Sequence, residues 1–194
     1  MFKFDMFEGH NIIGIQGPAN SGKDTFADMY SNQFNVIKRS MSKQLYVEVS
    51  ECFNVEISVL KNRDTKETPI EQLHIDNCKD PLFKKILIEY FPNVEIFSPR
   101  VILELYGTEY RRNQDIKYWH KFVFRNDGKR IIVSDIRFID ERNECDTAIV
   151  LRCPGQEIIR DHGSDLLWRD STDPVIWNFH KFDHVGNRFY VQGV

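Results

Sequence analysis

One stretch constrains this chain more than any other. Asn11-Ile-Ile-Gly-Ile-Gln16 runs straight into Gly17-Pro-Ala-Asn-Ser-Gly22-Lys23-Asp24-Thr25. The apolar run reads as a buried strand and residues 24–33 as a helix. The loop between them has the form G-x-x-x-x-G-K. Small residues let successive backbone N–H groups face one anion, and the helix that follows adds its positive end. Lys23 can then reach the outer phosphates of a nucleotide, and a hydroxyl can hold Mg2+. The residue after the lysine is Asp24, so the hydroxyl comes one position late, at Thr25. The expected phosphate cradle is Gly17, Ala19, Asn20, Ser21, Gly22, Lys23, Asp24 and Thr25, with Thr25 as a metal or phosphate ligand. Asp24 reads equally as an acid that suits a helix start. The plain alternative is a glycine-rich turn carrying a surface lysine.

Strands and helices alternate along the rest. Residues 36–38, 130–134 and 147–151 read as strands; 42–53, 81–90, 98–105, 114–124 and 140–145 read as helices. Helix 42–53 should bury Leu45, Val49 and Cys52 or Phe53. Helix 81–90 should bury Leu82, Phe83, Ile86 and Leu87. Residues 62–69 are polar and read as a loop. The alternation predicts an α/β fold around a mainly parallel sheet. A hairpin joining 120–124 to 130–134 through Asp127-Gly128 is the second reading. With 194 residues, one domain is expected, with 40–125 as a helical substrate-binding region and 152–170 as a lid.

Ile131-Ile-Val-Ser134-Asp135-Ile-Arg137 supplies a second polar set. Three β-branched residues would put Ser134 and Asp135 at the carboxyl end of a buried strand, where open α/β sheets bind ligands. Asp135 would hold Mg2+ and Arg137 would meet transferred phosphate. The structural alternative pairs Arg137 with Glu141. Further back, Arg100 falls in a first helical turn, where the dipole disfavours a cation unless an anion lies beside it. Arg111 and Arg112 follow a Gly107-Thr108 break, and guanidinium groups suit phosphate. Trp119 could stack on a base, although taken alone it reads as core.

Several classes are excluded by composition. The net charge of −3 argues against a dedicated nucleic-acid face. It conceals a basic stretch, because positions 100–142 hold ten Lys and Arg against seven Asp and Glu. No apolar run reaches the length of a membrane span, and the N-terminus lacks the pattern of a signal peptide. Cys52, Cys78, Cys145 and Cys153 form no metal-binding spacing, so free thiols in a reducing cytoplasm are expected. His180 and His184 have a usable metal spacing but no third ligand in view.

The chain resembles the bacteriophage deoxynucleoside monophosphate kinases, a branch of the P-loop kinases related to adenylate and thymidylate kinases. The resemblance rests on GPANSGKDT (17–25), Lys66-Glu67-Thr-Pro69, SPRVILELYGTEYRR (98–112) with Trp119, SDIRFIDE (134–141), His162-Gly-Ser164-Asp165 and the closing stretch from Trp177-Asn178 to Asn187. It implies a three-layer α/β/α core with mobile helical segments over the substrates. It also implies transfer of the ATP γ-phosphoryl group to a deoxynucleoside monophosphate (dNMP), with Mg2+. Lys23, Asp135 and Arg137 would serve catalysis. Lys66, Glu67, Arg100, Gly107, Arg111 or Arg112, Trp119 and Arg137 would meet the acceptor. Arg152, with Arg160, would belong to a lid over ATP. The expected partners are therefore small nucleotides, with no nucleic acid and no membrane; a homodimer stays open. Two other readings remain: a small-metabolite kinase resembling dephospho-coenzyme A kinase, and a nucleotide-dependent DNA-binding module without kinase chemistry.

Overall fold

The computed structural model describes residues 7–154, 167–169, 171–178 and 189–191. Most of the expected lid (155–166, with Arg160), the 162–165 motif, His180, His184 and the 182–187 turn lie outside the described residues. The chain divides into two compact units, one formed by 1–41 with 123–194 and the other by 42–122. In sequence the second unit falls between two strands of the first.

The first unit is built on a sheet. Its strands are β1 (Ile12–Gln16), β2 (Ile37–Ser40), β3 (Ile131–Ser134), β4 (Thr147–Arg152), β5 (Val175–Asn178) and β6 (Phe189–Val191). They lie in the order β2-β3-β1-β4-β5-β6. The first five are mutually parallel and β6 is antiparallel to β5. The unit is therefore α/β, as expected, and the 120–124/130–134 hairpin does not form, because β3 pairs in parallel with both β1 and β2. Parallel strands are covered on both faces, so they read as unbroken apolar runs. Ile131–Ser134 is buried at every position.

Helix α1 (Lys23–Phe34) buries Phe26, Ala27 and Tyr30. These join Phe7, Ile13, Ile15, Ile132, Ile149, Leu151 and Ile176 in one core. Arg142 makes a paired contact within this unit. Its Nη2 lies 2.6 Å and its Nε 2.8 Å from the two carboxylate oxygens of Asp173, which also accepts from Gln16 Nε2 at 2.6 Å. Burial pushes the Asp173 carboxyl up, but hydrogen bonds from Arg142 and Ser171 and the arginine's charge outweigh it, so the group is held below the usual range. A carboxyl with a depressed native pKa adds stability above its unfolded value of about 3.9, and loses it as pH falls through the native value. Asp173→Asn should cost about 2 kcal/mol at neutral pH. The gap to wild type should narrow only below about pH 4 in acid-dependent thermal melts.

The second unit is helical: α2 (Ser42–Phe53), α3 (Ile57–Lys61), α4 (Pro81–Tyr90) and α5 (Pro99–Glu104). Helix α5 continues without interruption as a π-helix, Leu105–Arg112. The expected break at Gly107-Thr108 is therefore absent, since both lie inside that π-helix. Helix starts follow the sequence signals. Ser98 accepts from Val101 N–H, with Pro99 first in the helix, and Asp80 accepts from the N–H groups of Leu82 and Phe83.

Three expectations need correction here. Leu82 is 56% exposed, leaving Phe83 and Leu87, one turn apart, as the buried pair of α4. Leu45 is only half-buried, and Glu48 takes a buried place beside Val49, Cys52 and Phe53. The helix read over 114–124 shrinks to α6 (His120–Val123), whose last residue already belongs to the first unit. Asp115 accepts from Lys117 N–H at 2.9 Å, a local bond that competes with helix propagation. All four cysteines are free and buried, with the Cys52 and Cys78 sulfurs 3.6 Å apart.

Helix α7 (Ile139–Asn143) links β3 to β4 in the first unit. No helix among the described residues is long and apolar enough to cross a membrane.

Candidate functional site

The Gly17–Gly22 loop leaves the carboxyl end of β1, the strand flanked by β3 and β4. The chain departs from β1 toward β2 on one side, while β4 and β5 extend the sheet on the other. Ligands of open α/β sheets bind at such a reversal. Two backbone positions require glycine. Gly17 has φ +136°, and an added Cβ would sit 2.2 Å from Leu151 O; Gly22 has φ +94°, and its Cβ would sit 2.4 Å from Asn178 Nδ2. That same Asn178 amide donates to Ser21 O at 3.0 Å. The last residue of β5 thus pins the loop, a support that sequence reading placed only within a closing strand and turn. Lys23 Nζ folds back to Gly17 O at 2.8 Å and Pro18 O at 2.7 Å. Ser21 is fully buried, and its Oγ has no hydrogen-bond partner among the described residues. A buried unpaired hydroxyl is costly, and an anion seated in the loop would supply an acceptor.

Beside this loop stands the end of β3. Ser134 Oγ donates to Asp24 Oδ1 at 3.0 Å, and Lys38 Nζ lies 3.2 Å from the same oxygen. Partial burial pushes the Asp24 carboxyl up, but the charge and hydrogen bond of Lys38, with the Ser134 bond, bring it below its ordinary value. Asp135 adopts φ +75°, a conformation that costs a non-glycine residue of order 1–3 kcal/mol and is concentrated at functional sites. Its Oδ1 accepts from Arg137 Nε at 3.1 Å. Glu141 accepts the backbone N–H groups of Arg137 and Phe138 at 2.8 and 3.2 Å. Thr25 is exposed on the first turn of α1. Arg152 ends β4 with its guanidinium over the Trp168 ring at 5.7 Å.

The second unit gathers most of the other expected residues into two clusters. In one, Arg100 N–H donates to Lys66 O at 2.9 Å, and Arg100 Nε donates to Glu67 Oε1 at 3.1 Å. Lys66 Nζ donates to Tyr46 OH at 2.8 Å. In the other, Arg111 Nε donates to Glu48 Oε2 and Nη2 to the Tyr106 hydroxyl, both at 2.9 Å. The rings of Tyr106, Tyr110 and Tyr118 surround its guanidinium at 5.1, 4.6 and 5.0 Å. Arg112 turns elsewhere and donates to Ile116 O at 3.1 Å. Trp119 is 5% exposed and donates to Gly107 O at 3.0 Å, which is the core placement its sequence context favours.

Arg100 and Arg111 share one arrangement. Each gives its Nε to a carboxylate, and the two Nη groups of Arg100 and the Nη1 of Arg111 have no hydrogen-bond partner among the described residues. A terminal guanidinium edge is what binds a phosphate in the bidentate manner. Glu48 and the three tyrosines carry no motif spacing; only the apolar face of α2, interrupted by an acid, marks Glu48 in the sequence.

No family model matches the chain, and no curated protein sequence does.

Proposed function

We propose that this chain is a P-loop kinase of three-layer α/β/α architecture that transfers the γ-phosphoryl group of ATP to a deoxynucleoside monophosphate. The observation that carries this reading is the Gly17–Gly22 loop. It ends the inner strand β1, admits no Cβ at either glycine, and is closed by a lysine lying on its own carbonyls.

On this reading the loop N–H groups hold the ATP β- and γ-phosphates. Lys23 exchanges two carbonyl partners for phosphate oxygens. Arg137, oriented by Asp135, meets charge on the transferring group, and donors placed where charge develops contribute most to such a reaction. Arg100 and Arg111 grip the acceptor phosphate, with Lys66 and Glu67 beside Arg100. An acceptor phosphate oxygen bonds to the γ-phosphorus as the bridging oxygen to the β-phosphorus departs, leaving ADP. The acceptor oxygen is already ionised, so no base has to remove a proton. That fits Asp24, whose carboxylate is tied to Ser134 and Lys38.

The donor set around the loop is all oxygen: the Thr25 hydroxyl and the Asp135 and Asp24 carboxylates. Among the described residues no cluster of three His, Cys, Asp or Glu forms that could hold a metal. Such a set fits Mg2+, which keeps waters and shares phosphate oxygens with one or two carboxylates. Thr25 and Asp135 would hold it, and when bound it neutralises charge on the β- and γ-phosphates.

The test is ADP release from ATP with each of the four common dNMPs, alongside ribonucleotide controls and dephospho-coenzyme A. Release that depends on a dNMP is the expected result. Release only with dephospho-coenzyme A, or none with any acceptor, overturns the assignment.

A further inference from the structure

We infer that Glu48 is the positioning residue for Arg111, holding its guanidinium so that Nη1 faces a phosphate monoester. This rests on reading the second unit as the acceptor-binding unit. Glu48 is 9% exposed on a face of α2 whose other buried members are Val49, Cys52 and Phe53. Burying a carboxylate costs free energy that an apolar residue of similar size would not, so its presence calls for a role beyond packing.

The donors around Glu48 show what that role is. Arg111 Nε reaches Oε2 at 2.9 Å, and the Tyr118 hydroxyl reaches both oxygens at 2.9 and 3.1 Å. Gln44 Nε2 and the Tyr106 hydroxyl stand further off, at 3.4 and 3.5 Å. Burial, with the Glu48 carboxylate accepting its hydrogen bond, pushes the Tyr118 hydroxyl up to about 12, so it remains a donor at neutral pH. The carboxylate is thus fixed by other groups before it fixes the arginine.

Arg111 has five N–H groups. Glu48 takes the one on Nε, and the Tyr106 oxygen takes one on Nη2. The three rings hold the guanidinium plane. Nη1 stays open, on a π-helix, a geometry that recurs at functional sites. Holding a long side chain in its binding rotamer beforehand removes an ordering cost from each binding event, worth about tenfold in affinity. An interaction present equally in the bound and transition states shows in KM and not in kcat.

The experiment uses the full chain and the best dNMP from the acceptor panel. Glu48→Gln, which keeps the shape and removes the charge, should raise KM for the dNMP about tenfold. The values of kcat and of KM for ATP should stay within about twofold. In the Arg111→Ala background, Glu48→Gln should have no further effect, because Glu48 acts through that arginine. If Glu48→Gln does not fold by circular dichroism, Glu48→Asp, which keeps the charge but withdraws it, takes its place with the same expectation. Unchanged dNMP KM in the folded variant, or an additive double variant, overturns the role of Glu48 while leaving the kinase reading intact. Wild-type protein that turns over no dNMP overturns the kinase reading, and this inference with it.

Discussion

Lys23→Ala should lower dNMP-dependent ADP release by roughly 10²–10³-fold and leave the fold intact. Lys23 Nζ donates to carbonyls of its own loop, and those carbonyls can turn to water once the ammonium is gone. On the kinase reading the ammonium gains most when charge builds on the transferred group, so the loss should fall mainly on kcat. Arg137→Ala should act in the same direction, because it removes the second cation on that side of the reaction. Its loss also frees Asp135 Oδ1 from its partner. Steady-state kinetics with far-ultraviolet circular dichroism check both. Full activity in either folded variant would falsify the proposed roles.

Gly17→Ala should be damaging for a different reason. The left-handed φ of +136° costs an alanine about 1–3 kcal/mol by itself. The new methyl group would also stand 2.2 Å from Leu151 O, a backbone atom of β4 that cannot swing aside. Either the loop leaves the sheet or β1 and β4 separate. The expected result is a melting temperature lowered by several degrees, with ATP binding lost even where the fold persists. Gly128→Ala is the control. Its φ is also positive, at +70°, but nothing lies within 4 Å of the added Cβ. A Gly17→Ala protein that binds ATP normally and melts with wild type would show that the loop has no close contact with β4.

Much of this molecule is legible in its residues. Ile131-Ile-Val cannot avoid being a buried strand, and Ser98-Pro99 and Asp80-Pro81 mark helix starts because their side-chain oxygens satisfy N–H groups that the helix leaves open. The loop 17–22 is legible for the same kind of reason, since its glycines and its lysine lie within a few residues of one another. What failed was also local. Residues 114–124 have helical spacing, yet Asp115 bonds to Lys117 N–H and the chain turns there. Tyr118 can then reach Glu48, and Trp119 can reach Gly107.

The sequence by itself determined the α/β alternation, the glycine-rich loop after β1 and the basic stretch of 100–142, because each is written in neighbouring residues. Only the tertiary structure set Arg111 against Glu48 and Arg112 against the Ile116 carbonyl, placed Asn178 beneath the loop and buried Glu48. The Asn178 and Arg111 contacts depend on distant segments meeting, 157 residues apart for Asn178 and Ser21 and 63 for Arg111 and Glu48. No local pattern encodes such meetings, since they are fixed by how the elements pack.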